Sequence, residues 1–76
     1  MGQLGNISLS TFRAFLVAQG LSYSHTTGGH EVWKKSGLTR PVVLQTHIDP
    51  IPEAIIRTNL HTMGVDRKVL VEFLKK

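Results

Sequence analysis

The chain has 76 residues, enough for one domain (1–76) whose core leaves only a thin stability margin. Its 41% hydrophobic and 18% charged content argues against disorder, and the absence of cysteine excludes disulfide staples and thiolate metal ligands. Nine Lys and Arg against five Asp and Glu give a net charge of +4, a positive field that suits nucleic acid or an acidic partner.

Ser8 reads as a helix N-cap, its hydroxyl accepting from a free backbone N–H of the first turn, with Ile7 and Phe12 placed as a hydrophobic staple. Leu9, Phe12, Phe15 and Leu16 share one face at helical spacing, and Gly20 can close the helix in the left-handed conformation. A first helix is therefore predicted over about 9–19. From Leu21 to Thr27 the period changes to 2, with Leu21, Tyr23 and His25 on one side and Ser22, Ser24 and Thr26 on the other. Gly28-Gly29 is a turn signal, His30 to Lys35 a second alternating run, and Ser36-Gly37 its end. Pro41 to Gln45 makes a third short strand, with the proline at its start, where a missing N–H matters least.

Asp49 is placed to cap a second helix opening through Pro50-Ile51-Pro52-Glu53, with Ile56, Leu60 and Met63 on its buried face and Gly64 at its end. Asp66 caps a short third helix carrying a stripe of Val69, Leu70, Phe73 and Leu74. The order αβββαα implies an α+β fold, a three-stranded antiparallel sheet with helices on one face.

The segment richest in chemistry is Thr26-Thr27-Gly28-Gly29-His30-Glu31-Val32-Trp33. A histidine after a Gly-Gly turn is projected by the hairpin, where backbone can approach a ligand closely, and an imidazole with an ordinary pKa of ~6.5 exchanges protons near neutral pH. RNA carries its own nucleophile, the 2′-OH, so cleavage needs a proton carrier and cations to hold the phosphate. The same His30 also reads as a plain surface residue at a strand start. Lys34, Lys35 and Arg40 cluster beside it, as on a phosphate-binding surface, while Trp33 reads either as core or as a stacking platform for bases. His47 precedes the second helix, whose N-terminus could receive a phosphate, and Arg57 lies within reach of the same place or extends to solvent. His25, His30 and His47 lack the short regular spacing of zinc ligands, so neither a metal nor another cofactor is expected. His61 joins no constellation.

The succession of helix, Gly20, strand, Gly28-Gly29-His30, strand, Val42-Val43-Leu44, His47 and Pro52-Glu53-Ala54-Ile55-Ile56-Arg57-Thr58-Asn59-Leu60 up to Met63-Gly64 resembles the HicA (YcfA-like) toxins. The resemblance covers residues 8–65 and implies a fold like the double-stranded-RNA-binding domain and the activity of an mRNA interferase, the toxin of a type II toxin–antitoxin pair. It maps the family's catalytic histidine onto His30, a later family histidine onto His47 and a helix arginine onto Arg57. Two positions depart from the pattern: Gly29 stands where the family turn has serine, and His25 where a basic residue is usual in the first strand.

The expected activity is that of a metal-independent endoribonuclease that leaves a 2′,3′-cyclic phosphate, with His30 as its single catalytic histidine. Gly28, Gly29, Lys34, Lys35, Arg40, His47 and Arg57 would form the RNA-binding surface, and a cognate HicB-like antitoxin would neutralise the toxin by covering His30. The rival readings are a non-catalytic RNA-binding module of the same fold and a protein-binding adaptor with a basic face. No apolar run approaches the ~20 residues of a membrane span and no leader pattern is visible, so the expected location is the cytoplasm, with no membrane partner.

Overall fold

The computed structural model describes residues 7–75, in the order α1 (Leu9–Ala18), β1 (Ser22–Thr27), β2 (His30–Lys34), β3 (Val42–Gln45), α2 (Glu53–Met63) and α3 (Arg67–Leu74). The strands form one antiparallel sheet in the order β1-β2-β3. The architecture is a small α+β fold with three helices, as the hydrophobic periods imply.

α1 follows its sequence closely. The Ser8 hydroxyl accepts from Thr11 N at 3.2 Å, and Leu9, Phe12, Phe15 and Leu16 are all buried. These side chains meet Trp33, Val42 and Leu44 of the sheet, Ile56, Leu60 and Met63 of α2 and Leu70 of α3 in one core cluster. Because residues alternate faces along a strand, burial of Glu31 and Trp33 in β2 and of Val42 and Leu44 in β3 defines the core face of the sheet. The opposite face carries His30, Val32, Lys34, Val43 and Gln45 and lies outside the core.

Three expectations are corrected. β1 does not alternate throughout, because its register with β2 shifts between Tyr23 and His25. Tyr23 pairs with Trp33 and so belongs to the core face, whereas His25 pairs with Val32 and belongs to the open face. The extra residue is a β-bulge, which a period-2 reading cannot foresee.

Asp49 does not cap α2. Its Oδ1 accepts from Leu9 N at 3.0 Å, forty positions away, and so completes the N-terminus of α1. The N-cap of α2 is Pro52, with no side-chain hydrogen bond. The same segment is stitched to the start of the described chain by Ile7 and Ile51, an antiparallel bridge in which Ile51 N donates to Ile7 O at 2.8 Å.

In α3, capped by Asp66 as expected, Leu70 is fully buried and Val71 and Phe73 pack partly against the core. Val69 and Leu74 remain 40% and 38% exposed, so the buried stripe lies further round the helix than apolar residues alone suggest. α2 ends where its glycine requires: Gly64 takes φ 69°, ψ 30°, and its N–H reaches back to His61 O.

Candidate functional site

The β1–β2 connection is a two-residue turn in which Gly28 and Gly29 have φ of 55° and 82°. Positive φ at both positions is the type I′ geometry whose twist matches the flanking strands, and glycine adopts it without a Cβ penalty. Among the described residues, chain neighbours aside, nothing lies within 4 Å of where a Cβ on Gly28 would stand. His30 opens β2 directly after this turn, exposed on the open face, with Thr27 on one side and Gln45 on the other.

The tip of the hairpin is tied to the end of β3. The Gly29 carbonyl accepts from Thr46 N at 2.9 Å and from Thr46 Oγ1 at 3.2 Å. The exposed imidazole of His47 comes next, its Nδ1 3.8 Å from where a Cβ on Gly29 would stand. Two positions far apart in the sequence, His30 and His47, thus belong to one corner of the molecule. His25 lies on the face of His30, and its Nδ1 is 3.0 Å from Ser24 Oγ. Among the described residues no three His, Asp or Glu side chains gather as a metal site would need.

Lys34 shares the open face with His30, four residues along β2 and about 13 Å away at ~3.3 Å per residue. Lys34 and Arg40 line one shallow groove with Leu38, Thr39 and Pro41. Thr39 and Arg40 continue into a second with His61 and Thr62, and His61 into a third with Ala54, Arg57 and Thr58. The three adjoin through these shared residues, and none of the lining residues is acidic. His61, which sequence reading left unassigned, is the link. Its signal was the i,i+4 spacing from Arg57, which puts both on one helix face. Arg57 also lies 4.0 Å from Glu53 in an exposed pair, a contact that leaves the guanidinium largely solvated.

Lys35 is placed differently from Lys34. Its Nζ donates to Gln19 O at 2.8 Å and its stem crosses Gly20, so it satisfies a carbonyl at the end of α1.

Behind His30 the neighbouring residue of β2, Glu31, faces the core and is 7% exposed. Arg13 of α1 and the indole N–H of Trp33 both donate to its carboxylate. The Arg13 hydrogen bonds, with help from Trp33 and the Arg13 charge, hold the Glu31 carboxyl below the usual carboxylate range against the opposing effect of burial. Trp33 is therefore core and not a stacking platform; the exposed aromatic is Tyr23, edge-on to Trp33 at 5.9 Å between ring centroids.

No known family, curated protein or solved structure is significantly similar to the chain.

Proposed function

We propose that the chain is a metal-independent endoribonuclease of the HicA toxin type, on a scaffold like the double-stranded-RNA-binding domain, that cuts mRNA in the cytoplasm. The observation that carries this reading is an exposed imidazole, His30, fixed by a tied-down type I′ turn on the sheet face outside the core. The open space at Gly28 lets a sugar–phosphate backbone come close to that imidazole. Lys34 shares the face of His30, and Arg40 and Arg57 add positive charge along the grooves that Lys34 and His61 also line. His47 stands beside the same turn. Lys35 contributes charge from the end of α1. A HicB-like antitoxin would neutralise the toxin by occupying the same face.

The chemistry is transesterification. The 2′-oxygen attacks the adjacent phosphorus, the bond to the 5′-oxygen breaks, and a 2′,3′-cyclic phosphate and a 5′-hydroxyl result. His30 carries a proton in this step, and the cations stabilise the charge that grows on the phosphoryl oxygens.

Incubating the purified protein with end-labelled RNA in EDTA tests the reading. Cleavage with cyclic-phosphate ends is expected, and its loss in a folded His30→Ala variant. RNA binding without cleavage in the wild type would mark a non-catalytic RNA-binding module instead. Cleavage that returns only with added Mg²⁺ or Mn²⁺ would overturn the metal-independent mechanism.

A further inference from the structure

A single histidine leaves half of this reaction unattended. In-line displacement places the attacking 2′-oxygen and the departing 5′-oxygen on opposite sides of phosphorus, and one imidazole cannot contact both at once. Two protons move, one from the 2′-OH and one to the 5′-oxygen, and each is worth about 100-fold or more in rate when a positioned side chain carries it.

The fold brings a second imidazole to the turn from which His30 projects. Thr46 clamps the Gly29 carbonyl with both its backbone N–H and its hydroxyl, and these bonds hold the residue after it, His47, against the turn. Nδ1 of His47 stands 3.8 Å from where a Cβ on Gly29 would be, and His30 is the next residue along β2. Both histidines are exposed, so neither is occupied by packing. Because Gly29 has no side chain, the His47 ring and Thr46 Oγ1 are the groups nearest to where its Cβ would stand, at 3.8 and 3.9 Å.

We propose that His47 is the second proton carrier of the site, forming with His30 a general acid–base pair on the 2′-hydroxyl and the 5′-oxygen of one ribonucleotide phosphodiester. The inference rests on the reading of the chain as an endoribonuclease. A neutral imidazole takes the 2′ proton as the 2′-oxygen bonds to phosphorus. An imidazolium gives its proton to the 5′-oxygen as that bond breaks. The two rings exchange protonation states, and water resets them.

The test compares two oligonucleotides of the same sequence, one ordinary and one with sulfur replacing the 5′-oxygen at the bond the wild type cuts. Thiolate leaves without a proton, so the acid becomes dispensable while the base does not. With the ordinary substrate, His30→Ala, His47→Ala and His47→Gln should each lose about 100-fold or more in kcat, with circular dichroism unchanged. With the sulfur substrate, one of the two alanine variants should recover to near the wild-type rate and the other should not, and the one that recovers identifies the acid. If His47→Ala and His47→Gln keep wild-type kcat on the ordinary substrate, or lose only in KM, His47 binds RNA and carries no proton. If neither alanine variant recovers on the sulfur substrate, the pair is wrong. A wild type that cuts no RNA removes the endoribonuclease reading itself, an outcome distinct from active His47 variants.

Discussion

Arg13 and Glu31 meet fork to fork across the interface of α1 and β2, with Nε–Oε1 and Nη2–Oε2 both at 2.9 Å. Trp33 Nε1 adds a third donor to Oε1 at 2.8 Å. Bidentate charge-assisted bonds to a carboxylate largely removed from water are among the stronger polar contacts a domain makes. Since Glu31 adjoins His30 in the chain and faces the opposite way, the ion pair also fixes the strand from which His30 projects.

A pH dependence of stability arises from this pair. The Glu31 carboxyl is held below its ordinary value of 4.5 chiefly by hydrogen bonds from Arg13. A depressed folded value means that the contribution is fully present above pH 4.5 and is lost as pH falls through the folded value. Glu31→Gln should unfold at lower urea concentration at pH 7, by about 1.5–3 kcal/mol, and the gap to wild type should narrow on acidification below pH 4.5. A gap that stays constant down to acid pH would contradict the assignment.

Adjacent lysines should separate into two roles. Lys34→Ala should weaken RNA binding evenly across sequences and reduce the slope of log affinity against log salt by ~0.7, the single-strand value for one lost phosphate contact. Lys35→Ala removes the donor to Gln19 O, and should instead cost about 0.3–1 kcal/mol of stability with a smaller change in salt slope. Equal slopes for the two variants would remove the distinction.

Asp49 offers a test of the long-range cap. Asp49→Ala takes away the acceptor of Leu9 N, and the thermal midpoint should fall by the equivalent of about 1 kcal/mol. Asp49→Asn keeps an oxygen at that place and should recover most of the loss. If both variants match wild type, the hydrogen bond is not maintained in solution.

Asn59 should behave in the opposite sense. It is 6% exposed on the buried side of α2, and its amide nitrogen is buried without a hydrogen-bond partner among the described residues. Replacing it with leucine exchanges an unmet donor for apolar contact, and stability in urea should rise by roughly 1 kcal/mol. A loss of that size would mean that the Asn59 side chain is satisfied in a way the geometry does not show.

Local rules made much of the fold legible. Ser8, Gly20, Gly64 and Asp66 each carry a cap or a stop in their own immediate sequence, and Leu9, Phe12, Phe15 and Leu16 carry a full helical face. What escaped were interactions between distant positions. Asp49 resembles a cap for the helix after it, yet its partner lies forty positions earlier, and a proline-rich stretch gives no sign of that. Glu31 sits in a strand as any exposed carboxylate would, until Arg13 and Trp33 are seen to enclose it. At the candidate site, His30 was legible from its Gly-Gly turn, whereas the approach of His47 depends on the pairing of Thr46 with Gly29.

The bulge at Ser24 also bears on how copies of this chain treat one another. β1 is one of the two edges of the sheet, all six of its residues are exposed, and none of them is aliphatic. A straight edge of that length would be a template onto which another molecule could zip, the first step toward fibrous aggregation. The displaced residue twists the edge, and the exposed Ser22, Ser24, Thr26 and Thr27 make it polar apart from the ring of Tyr23, so a second copy does not meet a straight matching ladder. On the β1 side the sheet is thereby a poor template for self-polymerisation, while the face that carries His30 stays uncovered.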